Sequence, residues 1–510
     1  MATPTTQLTD SFGNPLNVGG DVSITRQLAS GVPIAKINEV QLYAPASGGG
    51  GGASASVPFG KRGIGCAKYQ PIVEGAINHI VEYGQSLSVG GDSVAITTND
   101  VADCYMLGTN PRDVESTTFS ALHNNNGQDV GEQINNGEDE IVATVHALKY
   151  LCLQNRVDTE FLGTSSGAGG MIIDKLSKTP QAISWASYYN RFLSHINHAK
   201  TAATAANKQI VCPAIMFIHG ETDYETTQEY SAGTYVLEDD GTHTDEERYR
   251  PAIDYYKRLL IQLKNDMQAD IMTTYNQSLK PLFYVQAPGT TAHNIKGCWV
   301  NMAMIEACEE NDDMILVGAS NYAPRPNVHL SGNGYRWCAE RMAKVIYQTN
   351  FFNYKFEPIY PIAFRANGNQ IIITHKVPCP PLTIDTHTVQ AIIRSEIFTA
   401  GYQIAASNGA TLQSVSVNGC DVILTMSKAV SGSVSIRYAS GNNAYEDKGR
   451  GNICDSDRWE TLYPYIDDSE NPYAVSELNY RPLDEEGNYI FGQKYPMQNW
   501  CVPYCVFLNF

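Results

Sequence analysis

The chain has 510 residues, 43% of them hydrophobic, and a formal net charge of −18. That length exceeds what one core organises, so two or three domains are expected. The negative charge speaks against a nucleic-acid partner and an anionic lipid surface, and no run of 18 apolar residues exists to insert into a membrane.

Residues 1–56 are rich in Thr, Ser, Asn and Gly, and the run Gly48–Gly52 reads as a flexible linker. Within this segment Asp21–Thr25 and Val40–Tyr43 read as short strands, too few to bury a core of their own. The segment is expected to pack on another copy or another protein, the alternative being a disordered tail. Met1–Thr6 has neither a basic nor an apolar leader region, so no secretory signal is expected. The twelve cysteines are widely spaced, with no Cys-x-x-Cys pair and no zinc-type spacing. Several sit in apolar stretches, as buried free thiols do. Cys501 and Cys505 are close enough in sequence to bridge.

From residue 57 to 352 strand and helix patterns alternate. Ile77–Tyr83, Thr159–Leu162, Ile210–Ile218, Leu282–Val285 and Met314–Val317 are near-continuous apolar runs, as parallel strands covered on both faces are. Ile141, Val145, Leu148 and Cys152 recur at helical spacing, as do Tyr256, Leu259, Leu260 and Leu263. Residues 296–308 and 332–348 follow the same rule. This alternation predicts a doubly wound α/β sheet. Residues 88–138 are polar and read as a long loop region beside the site. From 353 to 510 the texture turns to short β runs, among them Gln370–Thr374, Ala391–Ile393, Val415–Val417, Val422–Thr425 and Val434–Tyr438. Asn367-Gly368, Asn408-Gly409 and Asn418-Gly419 separate some of them. An antiparallel β-sandwich or jelly roll is expected, with a Tyr-rich tail that wraps back onto the folded domains.

The stretch that organises the chain is Gly84-Gln85-Ser86, where an apolar strand breaks at a Gly and delivers a Ser. Open α/β sheets place their sites at the carboxyl ends of strands. A serine nucleophile needs a His as base. Of the eleven His, His329 is the best candidate, on a loop just before a helix that Ser331 can cap. Gly169 and Gly170 follow a strand and expose backbone N–H groups suited to an oxyanion. His219, Glu221 and Asp223 follow the strongest strand and emerge at the same edge.

Together, Gly84-Gln85-Ser86, the Gly169-Gly170 turn, His219-Gly220-Glu221-Thr222-Asp223 and Val328-His329-Leu330-Ser331 resemble the four blocks of the SGNH (GDSL-like) hydrolases. They are most similar to the branch of sialate O-acetylesterases and acetylxylan esterases, over roughly residues 75–345. The resemblance implies a three-layer α/β/α domain, with Ser86 as nucleophile and His329 as general base. The N–H of Ser86, that of Gly169 or Gly170, and His219 would form the oxyanion hole. The family's orienting acid lies three residues before the His, where this chain has Pro326. Glu221, Asp223 or a backbone carbonyl is expected in its stead, unless the triad is a dyad. No metal or other cofactor is implied.

The flanks add a further resemblance. Ser30–Ile37 with Tyr43-Ala44-Pro45 is similar to N-terminal segments of phage virion proteins, and Val377–Leu382 with Asn499–Val502 to the β domain beside such esterase-like modules. The implied protein is a virion component of the tail fibre or spike class, made in the host cytoplasm and external on the particle. It would anchor to other virion proteins through residues 1–56, form a homo-oligomer, and remove O-acetyl groups from a bacterial surface polysaccharide. A second reading keeps the fold as a structural or receptor-binding component with weak or no turnover. A third, a cellular carbohydrate esterase with an accessory β domain, lacks a signal peptide to support it.

Overall fold

A computed structural model describes residues 68–128, 135–180, 187–225, 245–289, 297–325, 328–352, 355–388, 399–440, 450–468, 482–484 and 486–510. The expected N-terminal strands and linker lie outside these residues, as do Ala391–Ile393 and Pro326.

The first nine strands are β1 (Ile77–Gly84), β2 (Cys104–Leu107), β3 (Phe119–Ala121), β4 (Gly127–Gln128), β5 (Asn135–Asn136), β6 (Glu160–Ser165), β7 (Ile210–Ile218), β8 (Leu282–Ala287) and β9 (Met314–Ala319). Seven of them form one sheet in the order β3-β2-β6-β1-β7-β8-β9, and β4 and β5 form a separate ribbon. All neighbours in the large sheet are parallel except β2 and β3. Every residue of β1, β7, β8 and β9 is buried, which is why their sequences are mostly apolar rather than alternating, with Asn78, His79, Glu82 and Gln286 as buried polar exceptions.

The helices are α1 (Glu140–Gln154), α2 (Ile173–Leu176), α3 (Tyr189–Ala205), α4 (Glu221–Glu225), α5 (Asp245–Tyr275), α6 (Trp299–Glu310) and α7 (Gly332–Phe352). Along α1, Ile141, Val145, Leu148 and Cys152 form one buried stripe. Each fully buried aliphatic side chain of this kind contributes about 1.5–3 kcal/mol. The Thr144 hydroxyl donates to the Ala339 carbonyl and joins α1 to α7. On the other face, Val81, Tyr83, Ile215, Phe217, Phe283 and Val285 share an apolar cluster with α3, α5 and α6. From central β1 the chain crosses to β2 and β6 on one side and to β7, β8 and β9 on the other. The direction of winding reverses at β1, the kind of switch point outside whose carboxyl end open α/β sheets bind their ligands.

The polar stretch 88–138, read as a loop, contributes strands β2 and β3 to the central sheet. Three or four residues among polar neighbours carry too little periodicity to register as a strand in sequence.

Eleven strands follow: β10 (Tyr360–Asn367), β11 (Gln370–Lys376), β12 (Leu382–Ile384), β13 (Tyr402–Ala406), β14 (Leu412–Asn418), β15 (Asp421–Met426), β16 (Ser433–Tyr438), β17 (Ile453–Asp455), β18 (Glu460–Pro464), β19 (Lys494–Pro496) and β20 (Tyr504–Asn509). Two antiparallel sheets, β10-β11-β15-β14 and β13-β16-β20, lie on one apolar cluster. Alternate residues fill it: Ile371 and Ile373, Val422 and Leu424, Val434 and Ile436. Asn367-Gly368 and Asn418-Gly419 close hairpins, with the glycines at φ 58° and 62°. The tail returns as β20 beside β16, and Trp500 stacks on Tyr322 of the α/β region with ring centroids 5.4 Å apart. Lys344 of α7 reaches the Asp457 carboxylate at 2.6 Å. Cys501 and Cys505 are free thiols, not a bridge, as are the other described cysteines.

Candidate active site

The site begins with a backbone constraint. β1 ends at Gly84, whose φ of 154° and closeness to β7 leave no room for a side chain: a Cβ there would lie 1.9 Å from the Ile218 carbonyl oxygen. The Gln85 N–H then donates to that same oxygen at 3.2 Å. The chain turns sharply into a single 3-10 turn, Ser86–Val89, closed when the Gly91 N–H donates to the Ser86 carbonyl at 2.9 Å.

His329 lies across this turn. Its Nε2 accepts the Ser86 hydroxyl at 2.7 Å, and its Nδ1–H donates to Asp92 Oδ2 at 2.9 Å. Ser86 is 8% and His329 9% exposed, so the pair is largely shielded yet not sealed from solvent. Ser331 positions the histidine: its hydroxyl accepts the Gly334 N–H at 3.2 Å and caps α7. Gly91 makes room for the ring, since a Cβ there would stand 3.1 Å from His329 Cδ2 and 3.2 Å from Nε2.

Asp92 is the carboxylate that sequence reasoning missed. The sequence pattern points to an acid near the His or among the third-block acids, whereas Asp92 stands six residues after the Ser. It occupies the left-handed region at φ 49°, following Gly90 at φ 67°. Asp tolerates that conformation better than most residues. A Gly-Gly-Asp run directly behind the Ser turn was the available signal.

The third-block residues do other work. Glu221 accepts the Gln85 side-chain N–H at 2.9 Å and the Gly289 N–H at 3.4 Å. The Gln85 side-chain oxygen Oε1 accepts the N–H groups of Gly220 at 3.3 Å and Thr222 at 3.0 Å. Gln85 is therefore a clamp between the Ser86 turn and the start of α4. Asp223 accepts the Ile173 N–H at 3.1 Å and so ties α4 to α2. The partner on His329 Nδ1 is thus Asp92, where Glu221 or Asp223 was expected. His219 is fully buried: its Nε2–H donates to the Met171 carbonyl at 3.0 Å and its Nδ1 accepts the Tyr256 hydroxyl at 2.8 Å. Burial pushes its pKa down to about 4. The neutral ring has one N–H, and that proton is already spent, so His219 is no oxyanion donor, contrary to expectation.

Gly169 and Gly170 form the turn before α2, with Gly170 at φ 65°. The loop leading to them is tied to β1 by the Ala168 N–H donating to the Gly84 carbonyl at 3.0 Å. At Gly167 a Cβ would lie 1.9 Å from the Ser88 hydroxyl. The second block thus packs directly against the Ser86 turn.

Beneath the site lies a buried acidic layer. Glu82, Asp139 and Glu140 are fully buried, and Asp139 pairs with the Arg112 guanidinium. Burial, then the charges of Asp139 and Glu140, hold the Glu82 carboxyl well above its ordinary range. Burial pushes Glu140 up to about 8, and its Oε1 accepts the Gln286 amide at 2.8 Å. Among the described residues no group of three or more His, Cys, Asp or Glu could hold a metal ion, and no helix is long and apolar enough to cross a membrane.

No family model and no curated protein matches the chain. Solved structures similar to it include a carbohydrate acetylesterase from Xanthomonas citri, at 11% identity over 74% of this chain and 77% of that one, with a TM-score of 0.44. NanS matches at 10% identity over 54% of this chain and 98% of its own, with a TM-score of 0.34. An acetyl xylan esterase from Geobacillus stearothermophilus matches at 10% identity, 55% and 96% coverage, and a TM-score of 0.25.

Proposed function

We propose that this chain is a serine esterase of the SGNH type that removes O-acetyl groups from a polysaccharide. The observation that carries the reading is the hydrogen-bonded chain Ser86–His329–Asp92 at the carboxyl end of the central strand. Ser86 Oγ attacks the acetyl carbonyl while His329 Nε2 takes its proton. Asp92 holds Nδ1–H and offsets the charge of the imidazolium that forms. The oxyanion is held by the Ser86 N–H and that of Gly169 or Gly170. His329 returns the proton to the departing sugar oxygen, which leaves an acetyl-Ser86. Water, deprotonated by His329, releases acetate and restores the hydroxyl.

The four blocks and the virion-like flanks in the sequence support an acetylated bacterial surface glycan as substrate. They also support an external position on a phage particle, anchored through residues 1–56 in a homo-oligomer. A purely receptor-binding role would not need a complete proton relay.

The test is acetate release from an acetylated polysaccharide by wild type and Ser86→Ala, with fluorophosphonate labelling of Ser86 as a second readout. The wild type should release acetate and take the label, and the variant should do neither. Equal rates in the two proteins would sink the assignment.

A further inference from the structure

Asn136 is fully buried, yet among the described residues neither its Nδ2 nor its Oδ1 has a hydrogen-bond partner. An amide in that state carries an uncompensated desolvation cost, so a native position of this kind calls for an explanation. The ladder around it supplies one. Asn136 pairs antiparallel with Gly127 on one side and with Gly91 on the other, and the Gly137 N–H donates to the Gly90 carbonyl at 3.1 Å. Directly paired residues of an antiparallel ladder present their side chains on one face, with Cβ atoms about 4.5–5.5 Å apart. A Cβ on Gly91 would stand 3.0 Å from the Ser86 carbonyl oxygen, 3.1 Å from His329 Cδ2 and 3.2 Å from Nε2, and one on Gly127 would stand 3.3 Å from the Arg112 guanidinium. Asn136 therefore stands on the face that holds His329, between the histidine and Arg112.

We infer that Asn136 contacts the alcohol portion of the bound ester and binds a free hydroxyl of the sugar; this rests on the esterase reading above. His329 Nε2 delivers its proton to the leaving oxygen, so a group beside that edge of the ring neighbours the alcohol side of the ester. An amide offers a donor and an acceptor together, and a sugar hydroxyl is their complement. The ribbon carrying Asn136 has two residues per strand and one further bridge. Pairing that short is marginal and parts at little cost to admit the hydroxyl.

The experiment compares two esters with the full chain: an O-acetylated xylo-oligosaccharide, whose alcohol bears hydroxyls, and phenyl acetate, whose alcohol bears none. Asn136→Ala and the similarly sized Asn136→Leu should lower kcat/KM on the sugar ester about ten-fold or more, the loss of two neutral hydrogen bonds. Turnover of phenyl acetate should stay within about threefold, which also shows that the variants fold. Equal losses on both esters, or no loss on the sugar ester, overturn the inference. A wild type that cleaves phenyl acetate through Ser86 but not the sugar ester overturns it too, and leaves the esterase reading standing. Turnover unaffected by Ser86→Ala overturns the esterase reading, and this inference with it.

Discussion

Exchanging Asp92 for Asn probes the relay at the position that sequence reasoning did not anticipate. The backbone there is left-handed at φ 49°, a conformation Asn adopts as readily as Asp, so the substitution leaves the turn intact. Its electrostatic effect is large. An Asn amide turned toward His329 Nδ1 donates where the carboxylate accepted. The ring is then driven to the tautomer whose Nε2 carries the proton and cannot accept from Ser86. In serine triads this exchange costs about ten-thousand-fold in kcat. The Asp92 side chain is 26% exposed, so water partly replaces what it supplies. A hundred- to ten-thousand-fold drop is expected, about 3–5 kcal/mol on the barrier. KM should change little, because Asp92 does not face the substrate. The assay is steady-state hydrolysis of an aryl acetate, with urea denaturation to show that stability stays within about 1 kcal/mol. Turnover within about threefold of wild type would refute the assignment of Asp92 as the orienting acid.

Gly91→Ala places a methyl 3.1 Å from His329 Cδ2 and 3.0 Å from the Ser86 carbonyl oxygen. It should push the ring off the Ser86 hydroxyl and lower kcat at least ten-fold, with near-wild-type secondary structure by circular dichroism. The pH dependence of stability should have an acid limb and an alkaline limb of different origin. His219 and His146 are each lowered to about 4 by burial, below the 6.5 of the unfolded chain. Their contribution is present above 6.5 and is lost as pH falls toward 4. Glu140 is raised by burial from 4.5 to about 8, so its contribution is present below 4.5 and lost as pH rises toward 8. Urea midpoints across this range should show His146→Gln flattening the acid limb and Glu140→Gln the alkaline one. Curves that run parallel to wild type would contradict the burial argument.

Much of the architecture is local in origin and could be read from the chain alone. β1 and β7 to β9 are buried on both faces, so the runs Ile77–Tyr83, Ile210–Ile218, Leu282–Val285 and Met314–Val317 already mark the central sheet. Asn367-Gly368 and Asn418-Gly419 mark hairpins because left-handed turns need such residues. Ser86 and His329 could each be singled out from a strand end and a helix start. What the chain alone could not decide is which groups meet. Ser86 and His329 are 243 residues apart, and their hydrogen bond exists only because β1 and the start of α7 end at one edge of the sheet. A linear pattern places the acid near the His. The left-handed turn at Gly90 and Asp92 brings a carboxylate from the nucleophile's own loop instead. His219, Glu221 and Asp223 were legible as a charged cluster, but burial decided their roles: each spends its hydrogen bonds holding one backbone segment to another. Local pattern thus determined the strands, turns and candidate groups, because propensity and burial act over a few residues. Pairing, tautomer and charge depend on distances across the fold, and tertiary packing alone sets those.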